Sequence, residues 1–337
     1  MPHLGTYPTP VEPVAALSLP GSELWVKRDD LTHPVYGGNK VRKLEGLLDE
    51  ARASVAGRRP HGPPARLVTV GSAGSHHVLA TAYFGRRAGF EVEAVLVAQP
   101  RTPHVIEVLR ASLGQGLHAL PVRSWASVPG VVLARMAAGA HYVPLGGSNA
   151  AGTMEYVEAG RELAAQVQSG ALPEPDVCVV AMGSGGTAAG LAVGFAAAGL
   201  RTRVVGVCIS PPAWALRASA HHLARVCAAR TSAAHVQLSA DDRFLGGGYG
   251  VVTPEGDAAT ALALDHAGLT LDPTYTAKAF ACALGLVRAR VAATVLYWHT
   301  LSSAPLAPLL AGPHAPAEEE LPRELQALVR PLNGRYL

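Results

Sequence analysis

The chain has 337 residues, of which 49% are hydrophobic and 16% charged, and its formal net charge is +3 at pH 7. This length and composition predict one large or two medium globular domains and disfavour a disordered chain. No basic run is long enough to follow a nucleic-acid backbone, the N-terminus lacks the pattern of a secretory signal, and the apolar window at 188–200 is too short for a membrane span.

Apolar runs and glycine-rich turns alternate along the chain. In chain order they predict strands at 24–26, 67–70, 91–97, 177–181, 204–209 and 293–298. Helices are predicted from Asn39 onward and at 77–87, 104–112, 187–198, 262–266, 276–288 and 321–329, with a loop rich in proline, glycine and arginine at 57–64. Continuous apolar strands alternating with helices predict an α/β architecture with buried, mainly parallel strands.

Cysteine usage indicates a reducing environment. Cys178, Cys208, Cys227 and Cys282 lie far apart in the sequence. This pattern favours free buried thiols over a disulfide framework or a zinc site. We therefore expect a cytoplasmic protein without a metal.

A glycine-rich segment predicts an anion site. The segment is Gly183-Ser184-Gly185-Gly186-Thr187; it follows an apolar strand and opens a helix. Such a turn presents backbone N–H groups to an anion, and the helix dipole adds favourable potential. A tight turn without a ligand is one alternative. A dinucleotide fingerprint, as in a nucleotide-binding oxidoreductase, is another, but it requires an acidic residue after the next strand, where this chain has Ser210-Pro211-Pro212. A monophosphate fits better.

The chain uses lysine sparingly. Of 28 basic residues, the lysines are Lys27, Lys40, Lys43 and Lys278. Arginine can replace lysine as a surface cation but cannot form an imine, so a lysine retained here is a candidate for amine chemistry. Lys40 follows a glycine pair and opens a helix, where burial and the helix N-terminus lower the pKa of an amine. Lys43, one turn later, could meet a phosphate; two solvated helix lysines are the alternative.

Several motifs in the same order resemble one enzyme family. They are Lys27-Arg28-Asp29-Asp30-Leu31-Thr32, Gly37-Gly38-Asn39-Lys40-Val41-Arg42-Lys43-Leu44-Glu45, Ser75-His76-His77, Gly146-Gly147-Ser148-Asn149, Gly183–Thr187, Tyr249-Gly250-Val251, Asp272-Pro273-Thr274-Tyr275-Thr276-Ala277-Lys278 and His299-Thr300. Together they span roughly residues 6–300 and resemble the D-cysteine desulfhydrase and 1-aminocyclopropane-1-carboxylate deaminase family.

The resemblance implies a fold and a domain organisation. The fold is that of the two-domain, fold-type-II enzymes dependent on pyridoxal 5′-phosphate, which are tryptophan synthase β-like, with parallel-rich sheets flanked by helices. We expect residues 1–45 and 149–315 to form a large cofactor-binding domain. Residues 46–148 would form a small inserted α/β domain, and residues 316–337 a C-terminal tail with a helix. A homodimer is usual in the resembled family.

The same resemblance implies roles for individual residues. Lys40 would carry the cofactor as a Schiff base and move the α-proton. The substrate would meet Ser75, His77, Tyr249 and Tyr275. The cofactor would contact Asn39, Lys43, His76, Gly183, Ser184, Gly185, Gly186, Thr187 and, at the pyridine nitrogen, Thr300. Lys278 is expected to be structural, and Asp29-Asp30 to form a turn and cap.

The implied function is elimination and deamination of a small amino acid, giving a 2-oxo acid and ammonia. Thr276 stands where the deaminases have a glutamate, which favours a desulfhydrase-like reaction over cyclopropane opening. Candidate substrates are D-cysteine, β-chloro-alanine and a serine-like amino acid. His76 replaces the family's Asn and Leu301-Ser302 its Gly-Gly, so another lyase, an epimerase, a β-replacement synthase and a non-catalytic cofactor-binding homologue stay open. We expect no nucleic-acid or membrane partner.

Overall fold

The computed structural model describes residues 3–55, 64–311 and 315–329. The strands are β1 (Val11–Pro13), β2 (Glu23–Arg28), β3 (Arg66–Ser72), β4 (Glu91–Val97), β5 (Leu117–Pro121), β6 (His141–Tyr142), β7 (Val177–Met182), β8 (Arg203–Cys208), β9 (Leu238–Asp241) and β10 (Thr294–His299). The α-helices are α1 (Asn39–Val55), α2 (His76–Arg87), α3 (Pro103–Gly114), α4 (Val128–Ala137), α5 (Ala150–Gln168), α6 (Gly186–Ala197), α7 (Ala213–Thr231), α8 (Pro254–Ala267), α9 (Thr276–Ala289), α10 (Ala307–Leu310) and α11 (Arg323–Leu328).

The chain divides into two compact units. One consists of Met1–Lys43 with Ser148–Ala304, and the other of Leu44–Gly147 with Pro305–Leu337. The predicted domain boundaries, at 45/46, 148/149 and 315/316, stay a prediction. Residues 305–311 belong to the second unit, whereas the prediction assigned them to the large domain.

The first unit is built on a six-stranded sheet in the order β1-β2-β10-β7-β8-β9. All its neighbouring strands are parallel except the β1–β2 pair. Strands β7 and β10 are buried along their whole length, as expected for parallel strands covered on both faces. Phe280 of α9 lies in the core on one face of this sheet, and Phe195 of α6 in the core on the other.

The second unit contains a four-stranded parallel sheet in the order β5-β4-β3-β6. Its strands β3 and β4 pair over seven residues each, from Arg66 with Glu91 to Ser72 with Val97. Val68, Val70, Val95 and Val97 form a core with Val132 of α4. Helix α2 follows β3 directly, so Ser75 and the two histidines after it stand at the carboxyl end of a central strand.

Glycines bring α5 and α6 into close contact. A Cβ at Gly160 of α5 would lie 2.9 Å from the Cα of Gly194 in α6, so neither position has room for a side chain. This close approach aligns the two helices, and it places Thr153 near the start of α5 beside Gly186 at the start of α6. Helix packing therefore builds part of the surroundings of the glycine-rich turn.

The predicted α/β class is confirmed, and each predicted strand and helix overlaps an observed one. The predicted tail helix at 321–329 is observed as α11. The predicted loop at 57–64 falls, except for residue 64, outside the described residues, as do tail residues 330–337. The cysteines are buried and free. Among the described residues, no helix combines the length and apolarity needed to cross a membrane.

Candidate active site

The glycine-rich turn joins the buried end of β7 to the start of α6. Gly185 has a φ of +90°, a conformation that favours glycine, and as the N-cap of α6 it has no side chain to occupy the first-turn N–H groups. Those donors and the positive end of the helix dipole face the turn. Local backbone geometry thus offers donors that could hold an anion, and the anion site at this turn stays a prediction.

Polar side chains from three segments surround this turn. Lys43 Nζ donates a hydrogen bond to Ser148 Oγ at 3.0 Å, and Ser148 Oγ lies 2.7 Å from Ser184 Oγ. A Cβ at Gly186 would lie 2.5 Å from Ser148 Oγ, 3.0 Å from Thr153 Oγ1 and 3.1 Å from Lys43 Nζ. The glycine therefore keeps open a small space that a cation and two hydroxyl groups line.

Thr153 has a buried hydroxyl without a hydrogen-bond partner. Its side chain is fully buried, and Oγ1 has no partner within the described part of the chain. A buried polar atom left unpaired costs roughly 1–3 kcal/mol. Because this oxygen lies beside Gly186, an anion held at the turn would supply the missing partner.

Asn39 connects Lys40 to the turn. Its Oδ1 accepts a hydrogen bond from Lys40 Nζ at 3.1 Å, and its Nδ2 donates one to Thr187 Oγ1 at 3.2 Å. Its backbone N–H donates to the carbonyl of Thr300 at 3.0 Å. Gly38, with a φ of +91°, permits this arrangement because a Cβ there would lie 2.6 Å from the same carbonyl oxygen.

Both lysines have lowered pKa values. Burial lowers the pKa of Lys40 to about 8, an effect that Asp272 partly opposes. Burial and the nearby Lys40 hold the pKa of Lys43 well below its ordinary value. Two amines so close together suit a bound anion, which would offset their mutual repulsion. With a pKa of about 8, the amine of Lys40 becomes a neutral nucleophile as the pH rises through 8, well below the range in which an ordinary lysine does.

Two tyrosines lie next to the turn. The ring of Tyr275 packs against Gly183, where a Cβ would lie 3.4 Å from Cε1. Its hydroxyl donates to Tyr249 Oη at 3.3 Å, and the rings meet edge to face at 5.9 Å. Burial and Tyr249 raise the pKa of Tyr275 well above its ordinary value, so the phenol stays protonated. Asp272 stabilises the separate turn at residues 272–275, which leads into Tyr275, by accepting hydrogen bonds from the backbone N–H groups of Thr274 and Tyr275.

Ser75, His76 and His77 belong to the second unit. Ser75 is the N-cap of α2, where its Oγ accepts weakly from the Val78 N–H at 3.4 Å. His76 Nε2 lies 2.8 Å from His104 Nε2. Buried His77 has Nε2 2.9 Å from Thr69 Oγ1. Since the Thr69 hydroxyl donates to the Val143 carbonyl, Thr69 Oγ1 accepts its other hydrogen bond from Nε2–H of His77.

Comparison with protein families decides the class. Residues 3–300 match the family described as pyridoxal-phosphate dependent enzyme. The chain belongs to this family. The chain is therefore a pyridoxal-phosphate-dependent enzyme, and an amine beside an anion-binding turn is an arrangement that could hold the aldehyde and the phosphate of this cofactor.

Individual relatives carry different activities in their names. A nocardicin C-9′ epimerase from Nocardia uniformis subsp. tsuyamanensis is 34% identical over 311 residues, which are 88% of this chain and 91% of that protein. A D-cysteine desulfhydrase from Klebsiella pneumoniae is 34% identical over 292 residues, 81% of this chain and 84% of that protein. The crystal structure of a homologue of ACC deaminase superposes with a TM-score of 0.74 at 25% identity, covering 91% of this chain and 95% of that one.

The residues of the first unit fit the cofactor of this pyridoxal-phosphate-dependent enzyme. The turn, Lys43, Ser148 and the unpartnered Thr153 hydroxyl offer donors for a phosphate, and Lys40 offers an amine for an aldehyde. Thr276, which the resemblance places where the deaminases have a glutamate, donates a hydrogen bond from Oγ1 to Asp272 Oδ2 at 2.7 Å. The assignment of Thr300 to the pyridine nitrogen stays a prediction.

Three residues beside the predicted site were not among the predicted site residues. Ser148 stands in the quoted Gly-Gly-Ser-Asn motif and could have been chosen as a hydroxyl donor. Asp272 precedes Tyr275 in the Asp-Pro-Thr-Tyr motif, and its negative charge raises the pKa of Lys40 against the effect of burial. Thr153 gives no local signal, because its position depends on the packing of α5 against α6.

Proposed function

We propose that this enzyme catalyses α,β-elimination from a small amino acid, in the manner of a D-cysteine desulfhydrase, to give a 2-oxo acid and ammonia. The observation that carries the proposal is the joint placement of Lys40, its lowered pKa and the anion-binding turn, linked through Asn39. The desulfhydrase relative, 34% identical over 81% of this chain, supports the choice of reaction.

Lys40 is the proposed acid–base residue at the substrate Cα. When bound, pyridoxal phosphate supplies an aldehyde that holds the amino group and a ring that withdraws electrons from Cα. The ε-amine of Lys40 takes the Cα proton, for which it must be neutral, and its pKa of about 8 makes this practicable near neutral pH. Asn39 Oδ1 holds the amine in one place.

Four further residues are proposed to orient the substrate. Tyr275 donates its hydroxyl hydrogen to Tyr249 beside Gly183, and the pair is proposed to face the substrate, with protonated Tyr275 holding the hydroxyl of Tyr249 in place. Ser75 would bind the substrate carboxylate. His77, whose Nε2 donates to Thr69, would also contact the substrate, as the resemblance implies.

Epimerisation is the second candidate. It requires the same removal of the Cα proton but returns a proton to the opposite face instead of expelling a β-substituent. The epimerase relative from Nocardia, 34% identical over 88% of the chain, is the observation that favours it. A β-replacement synthase would share the elimination step and then add a nucleophile at Cβ.

The products distinguish these reactions. Purified holoenzyme would be given β-chloro-D-alanine, β-chloro-L-alanine, D-cysteine and D-serine, with pyruvate and ammonia measured. Elimination converts β-chloro-alanine and water to pyruvate, ammonium, chloride and a proton in equal amounts. The same assay in D2O with D- and L-alanine detects Cα deuterium, and chiral chromatography detects inversion.

Pyruvate and ammonia from a β-substituted amino acid support the proposal, provided that Lys40→Ala abolishes both. Inversion or deuterium exchange without pyruvate would replace elimination by epimerisation. A wild-type protein that binds the cofactor and neither eliminates nor exchanges with any of these substrates would contradict both.

We also propose that the enzyme is a cytoplasmic homodimer, as is usual in the resembled family. Four buried free thiols agree with a reducing compartment. Light scattering coupled to size-exclusion chromatography would give about twice the 34.8 kDa chain mass if the dimer proposal is correct.

A further inference from the structure

The segment that carries Tyr249 has little rigidity of its own. Residues 245–251 include Gly246, Gly248 and Gly250, with φ values of +59°, +118° and +75°. Glycine gives access to these conformations but loses more entropy than any other residue when it is fixed in one of them. Its internal hydrogen bonds, from Gly248 N to Leu245 O and from Val251 N to Gly248 O, are long, at 3.3 and 3.4 Å.

Lys278 spans this segment from inside the protein. Its Nζ donates to the carbonyl of Leu245 at 2.8 Å and to the carbonyl of Gly248 at 2.8 Å. The side chain is fully buried. Both bonds are shorter than the internal bonds of the segment, so the ammonium group ties together the two backbone carbonyls that precede Tyr249.

Burial of this amine has a cost that a surface cation would avoid. Burial lowers the pKa of Lys278, and Asp272 partly opposes the shift. A buried ammonium is tolerated when it is hydrogen-bonded, and here the partners are the carbonyls of a glycine-rich loop. A purely apolar residue at this position would leave the carbonyls of Leu245 and Gly248 with only the long bonds from the backbone N–H groups of Gly248 and Val251.

Lys278 also shares a helix end with the other tyrosine. Tyr275 is the N-cap of α9 and Lys278 lies three residues later, so both are fixed by the same first turn. One rigid element therefore holds Tyr275 directly and Tyr249 through the loop carbonyls. The 3.3 Å hydrogen bond between the two hydroxyls requires both to be held.

We propose that Lys278 is a positioning residue that sets the location of Tyr249 against Tyr275 and, through it, the affinity for the amino-acid substrate. This rests on the proposed function in one respect, the assignment of the two tyrosines to the substrate. It gives Lys278 more than the general structural role expected from the sequence, because its effect passes through one side chain.

Hydrogen exchange of the cofactor-free protein tests the tether without any need for activity. Lys278→Met should accelerate amide exchange in residues 245–251 about 30-fold, equivalent to about 2 kcal/mol, because both hydrogen bonds to the segment are lost. Lys278→Gln keeps an N–H donor group on a shorter, uncharged side chain and should give an intermediate effect. Arg288→Met, an exposed cation on the same helix, is the matched control and should leave the segment unchanged.

A double-mutant cycle tests the connection to substrate. The affinity of the holoenzyme for D-alanine and the KM and kcat for β-chloro-D-alanine would be measured for Lys278→Met, Tyr249→Phe and the double variant. If Lys278 acts through Tyr249, the double variant is no worse than Tyr249→Phe within about 2-fold, and the loss lies in KM and ligand affinity more than in kcat.

The outcomes separate the inference from the proposed function. Unchanged exchange in residues 245–251 of Lys278→Met overturns the tether, and fully additive effects in the cycle overturn the route through Tyr249. A rise in amide exchange across α9 and the whole sheet would mean that Lys278 stabilises the fold in general, and it would also overturn the proposal. A wild-type enzyme that produces no pyruvate refutes elimination, while the exchange experiment still decides whether Lys278 holds the loop.

Discussion

Asn39 donates a hydrogen bond from Nδ2 to Thr187 Oγ1 at 3.2 Å, which joins the helix that carries Lys40 to the helix that begins at the glycine-rich turn. The other end of the same amide accepts from Lys40 Nζ at 3.1 Å. One planar group thus relates the amine to the anion site. A small molecule that carries an aldehyde and a phosphate could contact the amine with one group and the anion site with the other. Because only the neutral amine attacks an aldehyde, the protonation state of Lys40 should decide how fast the cofactor attaches.

Cofactor attachment should show a midpoint near pH 8. Burial lowers the pKa of Lys40 to about 8, so the neutral, reactive amine increases as the pH rises through 8 rather than through 10.5. The rate of covalent attachment of pyridoxal phosphate to the cofactor-free protein, followed by visible absorbance and confirmed by borohydride reduction and mass spectrometry of residue 40, measures this. Asp272→Asn should move the midpoint lower, because Asp272 raises the pKa. A midpoint at 10 or above contradicts the prediction.

Thr153→Val should have opposite effects on the two forms of the protein. Without cofactor, the change removes a buried hydroxyl that has no partner within the described residues, so the free energy of unfolding should stay the same or rise by up to about 1 kcal/mol. With cofactor, the lost donor should weaken pyridoxal phosphate binding by roughly 10-fold, equivalent to about 1.4 kcal/mol.

Urea unfolding of the cofactor-free protein and equilibrium dialysis of pyridoxal phosphate measure the two effects of Thr153→Val. Thr153→Ser is the matched control that keeps the hydroxyl. If Thr153→Val lowers the stability of the cofactor-free protein and leaves the affinity for pyridoxal phosphate unchanged, the Thr153 hydroxyl does not contact the phosphate.

Gly186→Ala should close the anion site. The added Cβ would lie 2.5 Å from Ser148 Oγ and 3.1 Å from Lys43 Nζ, in the space that a phosphate would occupy. We expect a loss of cofactor affinity of at least 10-fold, because the donors must move apart. Gly130→Ala in α4 is the control: nothing lies within 4 Å of its Cβ, and the change should stabilise that helix by roughly 0.5–1 kcal/mol. Equal effects of the two substitutions would refute the prediction.

Local signals made part of this structure predictable from the sequence. The turn before α6 was located because its glycines separate an apolar strand from a helix, and the start of α1 at Asn39 follows a glycine pair. The rarity of lysine is not a specific signal for a reactive amine. Lys27 is buried against Glu162 and Gln166, and Lys278 against two carbonyls, so rarity selects lysines with a fixed partner rather than reactive amines.

Tertiary contacts account for what the sequence did not predict. Helix α5 went unpredicted, although its glycines set the position of Thr153. Asp29 was expected to be a turn and cap residue; it does begin a short 3-10 helix, but its carboxylate also accepts hydrogen bonds from Tyr156 and Trp298, which are 127 and 269 residues away in sequence. Contacts at such separations leave no periodic pattern in the sequence.

Arg42→Met should be strongly destabilising. Asp29 is fully buried and accepts hydrogen bonds from Arg42 Nη2 at 2.9 Å and Nε at 3.1 Å. Removing the guanidinium leaves this carboxylate, and that of Glu162, without their main counter-charge. Breaking a buried pair in this way costs about 3–5 kcal/mol. Urea unfolding at pH 7 measures the loss, and Arg161→Met, which removes an exposed pair with Glu158, should change stability by less than about 0.5 kcal/mol.

The pH dependence of that loss identifies its source. Burial alone would raise the pKa of Asp29, but Arg42, Lys27 and Tyr156 outweigh it and hold the pKa below its ordinary value of 3.8. A depressed pKa contributes stability that is complete above pH 3.8 and is lost as the pH falls through the lower folded-state value. Wild-type protein should therefore lose stability on acidification below about pH 4. Arg42→Met should lose less over the same range, because without Arg42 the pKa of Asp29 in the folded protein is no longer held below its ordinary value. Parallel pH profiles for the two proteins would mean that Arg42 does not set the pKa of Asp29.

The same substitution should also slow cofactor attachment at Lys40. The carbonyl of Asp29 accepts a hydrogen bond from the Gly38 N–H at 2.9 Å, so displacement of Asp29 would disturb the segment that precedes Lys40.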